Sequence, residues 1–495
     1  MQFTSFEFII FFPIVVVLFY IMPKRFRTFW LLLASYYFYM GWNAKYALLI
    51  FASTVVTYIS GIILEKLEEN KKKKILALCV CLAANLGILI FFKYFYFLHD
   101  TLSAVCGFFG FKIRETRFDI ALPVGISFYT FQALGYTIDV YRGNTPAEKN
   151  FIRYALFVSF FPQLVAGPIE RSGNLIWQLE RLGREKVWDF DRVTRGLLMI
   201  LWGFFMKLVL ADRAAVFVNS VFDVYYMCSG AVLFMGMFMF AVQIYCDFAG
   251  YSSIAIGAAL VFGVELMPNF KAPFFSTSIA ELWRRWHISL SSWFRDYVYI
   301  PLGGNRCSKA RKYFNTMVTF LLSGLWHGAS WHYVFWGGLN GAYIVIGDIL
   351  RPIKRRISGS IGIRTGTLSF KFVQGVCTFC LFMLSFVFFR ADTVRDGFYY
   401  IQRMINEFDI WTFFDEGIYN FGLDRKEFWA FLVGMAVLIV VDAFYVVRKK
   451  AFDVLIKEQC LAVQYAVTLA LLVMVIVFGV YGEGYDASQF IYFQF

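Results

Sequence analysis

Charge and histidine are both scarce in this sequence. Charged residues make up 16% of its 495 positions, where a soluble domain carries roughly 25%. With 60% hydrophobic residues, that shortfall excludes the string of soluble domains that length alone would suggest. Internal repeats, low-complexity stretches and flexible linkers are missing too. Their absence argues against a transporter built from paired repeats with broken helices. The nine cysteines form no secreted disulfide pattern, and Cys377 and Cys380, although spelled C-x-x-C, read as helix-packing thiols. No cationic stretch precedes the first apolar run, so residues 6–22 are expected to be a span and not a cleaved signal.

What is present is a series of apolar runs. A helix needs about 20 apolar residues to cross the hydrocarbon core. Runs of suitable length cover residues 6–22, 46–64, 75–98, 120–140, 194–222, 231–262, 371–389, 428–447 and 463–480. Shorter pieces at 30–39, 151–165, 313–322 and 331–350 raise the expected total to about ten to twelve crossings, some of them re-entrant. The predicted class is an all-α polytopic membrane protein.

The net charge of +13 does not point to nucleic acid. Its excess sits in short loops, where the positive-inside rule uses it. Lys24, Arg25 and Arg27, then Lys71 to Lys74, then Arg351, Lys354, Arg355, Arg356 and Arg364, then Arg448, Lys449, Lys450 and Lys457 form four basic loops, expected in the cytoplasm. Residues 391–427 hold eight acids against four cations, and the two ends, 1–5 and 481–495, hold no Lys or Arg. All three are expected outside.

Residues 268–330 differ in kind. They are too polar for ordinary spans yet rich in Trp and Phe, with Ser289, Ser291, Ser292, Arg295 and Asp296 followed by Pro301-Leu302-Gly303-Gly304-Asn305-Arg306. Polar backbone at membrane depth survives only when buried in protein or lining an aqueous cavity. This region is therefore expected to wall a funnel or tunnel, with Gly324, Gly328, Gly337, Gly338 and Gly341 allowing close helix approach. Two of the four histidines, His287 and His327, fall here. An ionisable group at such depth is a functional hypothesis by default. A neutral imidazole suits a general base near pH 7, and a place between Trp326 and Trp331 favours that neutral form. A histidine hydrogen-bonded in a bundle core is the alternative.

Two stretches carry a family resemblance. Glu281-Leu282-Trp283-Arg284-Arg285-Trp286-His287-Ile288-Ser289-Leu290-Ser291 and Ser323-Gly324-Leu325-Trp326-His327-Gly328-Ala329-Ser330-Trp331 resemble the membrane-bound O-acyltransferase superfamily, in particular its bacterial alginate O-acetyltransferase branch. Gln243-Ile244-Tyr245-Cys246-Asp247-Phe248-Ala249-Gly250-Tyr251-Ser252, Phe161-Pro162-Gln163-Leu164-Val165-Ala166-Gly167-Pro168 and the terminal Phe490-Ile491-Tyr492-Phe493-Gln494-Phe495 support it, so that the resemblance runs in order along nearly the whole chain. Asn340 stands where the family often has a second histidine, and Ser253 where it often has Asp.

The resemblance implies one integral membrane acyltransferase domain over residues 1–495, with a catalytic core at about 240–345 and a central cavity. It implies His327 as the base, with His287 assisting. Tyr492 has two open readings, an acyl relay or an interfacial anchor. Arg284 and Arg285 are candidates for the donor's phosphates, or else for snorkelling or pairing with Glu281 or Asp296. Asp247 is expected in a structural ion pair. The expected reaction carries an acyl group, acetyl first among them, from a cytoplasmic thioester (acetyl-CoA or an acyl carrier) to a polysaccharide outside a bacterial inner membrane. No resident cofactor or metal is implied. The expected partners are the lipid bilayer, an extracytoplasmic lipase-like protein of the SGNH type and the glycan, with no nucleic acid. The competing readings are a D-alanyl transferase of the teichoic-acid type and, further off, a polytopic transporter.

Overall fold

The computed structural model describes residues 1–67, 69–114, 118, 122–165, 167–185 and 187–481, and every regular element among them is helical. The chain divides into two compact units, residues 1–196 with 255–267 and residues 197–254 with 268–495.

In the first unit the helices run α1 (Phe6–Ile21), α2 (Lys24–Met40), α3 (Tyr46–Lys66), α4 (Lys71–Leu89), α5 (Phe95–Phe108), α6 (Ile126–Arg142), α7 (Phe151–Ser159), α8 (Phe161–Leu164) and α9 (Ser172–Leu182). A π turn at Ile90–Tyr94 joins α4 to α5 without a break. α3 shows how this unit packs. Its buried stripe runs Ala47, Ile50, Ser53, Thr54, Thr57, Gly61 and Leu64, and the small residues at its centre let backbones approach, since apolar side chains gain little by leaving lipid for one another. A Cβ on Gly61 would lie 2.4 Å from the Tyr136 hydroxyl of α6. Ser53 Oγ donates to Asn85 Oδ1 of α4 at 2.6 Å.

Next come α10 (Phe190–Phe204), α11 (Asp212–Asp223) and α12 (Gly230–Val261), the first two joined by a π turn at Phe205–Ala211; residues 190–196 and 255–261 count with the first unit and the rest with the second. Then come the short α13 (Ile279–Arg285) and α14 (Ile288–Phe294), α15 (Lys309–His327), α16 (Trp331–Ser360), α17 (Leu368–Arg390), α18 (Val394–Asn406), α19 (Arg425–Arg448), α20 (Phe452–Lys457) and α21 (Leu461–Phe478). The π turn turns Lys207 inward. Its ammonium lies 2.7 Å from both Asp212 and Asp247, all three nearly sealed from solvent. Asp247 thus sits in a structural ion pair, with a lysine. The same turn leaves the Leu208 carbonyl to accept the Val480 N–H at 3.0 Å, just past α21.

Among the described residues, eight helices are long and apolar enough to cross a membrane, and Phe6–Ile21 and Phe151–Leu164 are shorter apolar helices. The class expected from sequence holds, and the differences from the expected spans have local causes. Residues 331–350 belong to a 30-residue helix, Trp331–Ser360, because the cations after 350 continue the helix past the apolar run. Residues 313–322 lie in α15, whose buried side includes Asn315, Thr316 and Ser323. The run at 151–165 breaks at Phe160, before Pro162 in the first turn of α8.

Candidate active site

His287 stands between α13 and α14. Ser278 Oγ caps α13 by accepting the Glu281 N–H at 3.2 Å, and the Trp286 N–H donates to Leu282 O as that helix ends. His287 then takes φ 43°, ψ 54°, a left-handed conformation that costs a non-glycine residue about 1–2 kcal/mol. The reversal starts α14 and drives the imidazole into the core, where it has no solvent exposure. Phe248 of α12 meets it edge-on at 4.5 Å between centroids, and Trp326 lies at 5.8 Å.

His327 is the last residue of α15. Three residues later α16 turns back along it, and the pair touches at glycines. A Cβ on Gly324 would lie 2.2 Å from the Tyr333 carbonyl oxygen, and one on Gly337 2.3 Å from that of Phe320. Only a bare backbone permits this approach, which brings Trp336 edge-on to His327 at 5.1 Å. Trp326 at 5.0 Å and Phe389 of α17 at 5.6 Å complete the aromatic box. Trp331, expected as one wall, is instead 57% exposed at the start of α16. The two histidine rings are 6.1 Å apart, so the fold does bring together the two candidates separated in sequence.

Asn340, fully buried, is a structural residue. Its Oδ1 accepts the Trp283 indole N–H at 3.3 Å and its Nδ2 donates to the Trp336 backbone carbonyl at 3.0 Å, so it ties the Trp283 indole to α16. His332 opens α16 with Nδ1 3.1 Å from the Phe388 carbonyl. The helix breaks at Gly328–Ser330, so His327 and His332 lie on separate helices.

Beside the histidines lies a cavity of about 1320 Å³ within the second unit. Its wall includes Ser291, whose N–H donates to the His287 carbonyl at 3.0 Å, and Ser323, four residues before His327 on the same face of α15. Neither histidine itself forms the wall. Trp283, Phe294 and Phe320 make it aromatic near this end. Six cations (Arg284, Arg295, Lys312, Arg351, Lys354 and Arg355) and a single carboxylate, Asp348, also line it. Asp348 is engaged by Lys312 at 2.7 Å and Arg351 at 3.3 Å.

Of the two arginines singled out from sequence, Arg284 is exposed to this cavity. Arg285 pairs with Glu281 at 2.5 Å and reaches the Ala272 carbonyl. Arg295 lies in the region expected to wall a funnel, whereas Lys312, Arg351, Lys354 and Arg355 line the cavity without having been singled out for it. The acid-free run from 351 to 364 is the sequence signal for Arg351, Lys354 and Arg355. Tyr492 lies outside the described residues.

Residues 146–358 match the family model of the membrane-bound O-acyltransferases. The chain is 38% identical over 396 residues to the probable alginate O-acetylase AlgI of Pseudomonas putida, covering 80% of this chain and 78% of that protein. It is 35% identical over 451 residues to the protein of the same name from Pseudomonas aeruginosa (91% and 82%). It is 32% identical over 404 residues to the peptidoglycan O-acetyltransferase of Helicobacter pylori (77% and 74%).

Proposed function

The chain belongs to the membrane-bound O-acyltransferase family, and from that premise we propose that it moves an acetyl group from a cytoplasmic thioester to hydroxyls of an extracytoplasmic polysaccharide. It is a multi-pass membrane O-acyltransferase. The observation that carries the finer reading is the cavity of about 1320 Å³ with six cations and one acid, ending one helical turn from both buried histidines. Coenzyme A and carrier-bound thioesters alike have phosphate on one end and an acyl group on the other. Guanidinium and ammonium groups suit the first, and an aromatic wall suits the second. Both the alginate and the peptidoglycan relatives are named for acetyl transfer to glycans.

In this reading the neutral His327 imidazole takes the proton of the acceptor hydroxyl as its oxygen attacks the thioester carbonyl. The C–O bond forms, the tetrahedral intermediate collapses, and the C–S bond breaks. The proton passes from the imidazolium to the departing thiolate, leaving ester and thiol. His287, a ring-width away, orients His327 or the reacting carbonyl. Tyr492 keeps its two roles, relay or anchor. A lipase-like SGNH-type partner outside a bacterial inner membrane completes delivery by transesterification: a glycan hydroxyl takes the acyl from the first ester and the first hydroxyl is released, and the donor is a substrate that needs no resident cofactor.

Charge reversal at the cavity tests the donor reading. Lys354→Glu with Arg355→Glu is expected to raise the donor KM roughly tenfold or more, about 1.4 kcal/mol of lost binding, and to leave kcat within about threefold. Steady-state transfer from radiolabelled acetyl thioester in purified membranes measures both. An unchanged KM would place the donor elsewhere.

Orientation is tested separately. In a cysteine-free background, Asp415→Cys is expected to react with an impermeant maleimide in intact cells, while Lys354→Cys and Lys449→Cys react only after permeabilisation. All three sites are exposed on the protein. Labelling of Lys354→Cys from outside would put the basic cavity on the wrong side for a cytoplasmic donor.

A further inference from the structure

The left-handed turn at His287 is held by one buried side chain that the reaction scheme does not use. Asn269, 1% exposed, runs beside the turn. Its backbone carbonyl accepts the Ile288 N–H at 2.9 Å. Its Oδ1 accepts the Ser289 hydroxyl at 2.7 Å and the Ser289 N–H at 3.4 Å. Its Nδ2 donates to Ser252 Oγ of α12 at 2.9 Å. Two residues on, the Lys271 N–H donates to Arg285 O at 3.0 Å, so residues 269–271 flank the turn on both sides of His287. α12 therefore reaches His287 twice, through the Phe248 ring against the imidazole and through Ser252 by way of Asn269.

We propose that Asn269 is the positioning residue for His287, clamping the strained turn so that the imidazole stays against His327. A non-glycine residue remains in the left-handed region only where its surroundings over-determine it. Glycine would relieve that strain but would remove the imidazole. The buried bonds of Asn269 supply the over-determination at the two residues that follow the strained one. Side-chain geometry is the lever, since a shift of about 1 Å in a reacting group can cost on the order of 100-fold in rate. This proposal rests on the reading of His287 as an assisting group.

The test is a double-mutant cycle in the full-length enzyme, reconstituted and assayed for acetyl transfer from thioester. Asn269→Ala is expected to lower kcat roughly 10- to 100-fold with donor KM within about twofold of wild type. In a His287→Ala background the same change is expected to cost less than about twofold, because coupled residues are non-additive. Ser289→Ala removes a single bond of the clamp and serves if Asn269→Ala does not fold. It is expected to show a smaller kcat loss that likewise vanishes without His287. Amide exchange of the peptide spanning residues 286–291 is expected to speed up in both variants while the rest of the chain is unchanged. Equal losses with and without His287, or a KM effect at unchanged kcat, would overturn the positioning role and leave His287's own role standing. Near-normal activity of His287→Ala alone would instead remove the role of His287, and this proposal with it.

Discussion

His327→Ala is expected to lower acyl transfer by about 10²–10⁴-fold, the usual contribution of a positioned acid–base group, while the protein still inserts and folds. The imidazole is boxed by Trp326, Trp336 and Phe389 and is 4% exposed. Truncation leaves a hole among rigid rings, so His327→Gln, closer in volume, is the companion variant that separates lost chemistry from lost packing. Both are expected to be inactive, at wild-type yield in detergent. The measurements are acetate content of the envelope glycan by mass spectrometry in a deletion strain carrying each variant, and thioester turnover in membranes. Glycan acetylation above about half of wild type in either variant would remove His327 from the reaction.

Lys207→Met is expected to have the largest effect on stability, a loss of about 3–5 kcal/mol. The ammonium lies 2.7 Å from Asp212 and 2.7 Å from Asp247, at 1% side-chain exposure. Removing it leaves two carboxylates buried without their shared cation, which costs far more than the pair itself contributes. The change is therefore expected to abolish monodisperse protein in detergent, and adding Asp212→Asn with Asp247→Asn is expected to restore most of it. A single Lys207→Met variant with wild-type melting behaviour would show that the carboxylates are compensated by other means. Because Asp247 precedes the Phe248 that packs on His287, partly folded variants should also lose activity more steeply than yield.

Much of the site was legible before the fold was seen, for a chemical reason. At membrane depth a titratable side chain is expensive, so His287 and His327 stand out against their surroundings without any geometry. Asp247 was legible in the same way, and its expected ion pair exists. Its partner was not legible. Lys207 reads as one cation in an apolar run, and only the π turn at Phe205–Ala211 rotates it toward two carboxylates. Helical periodicity cannot register a turn that departs from it.

The remaining differences share one cause. Apolar runs, basic loops and isolated polar groups are properties of short segments, and the sequence by itself determined them: an all-helical membrane chain, its basic and acidic loops, and two histidines isolated among apolar residues. Which residues meet is decided by backbone approach between distant segments. Trp336 replaces Trp331 as the wall of His327 because Gly324 and Gly337 let α15 and α16 close together. Lys312, Arg351, Lys354 and Arg355 join Arg284 around one cavity because α15 and α16 carry them to it, while Arg285, one residue from Arg284, faces Glu281 instead. Asn269 bears on His287 only through the path of residues 269–271 beside a strained turn. Burial of a hydrogen-bonding side chain is a tertiary fact, and nothing in the letters Pro268-Asn269-Phe270 announces it.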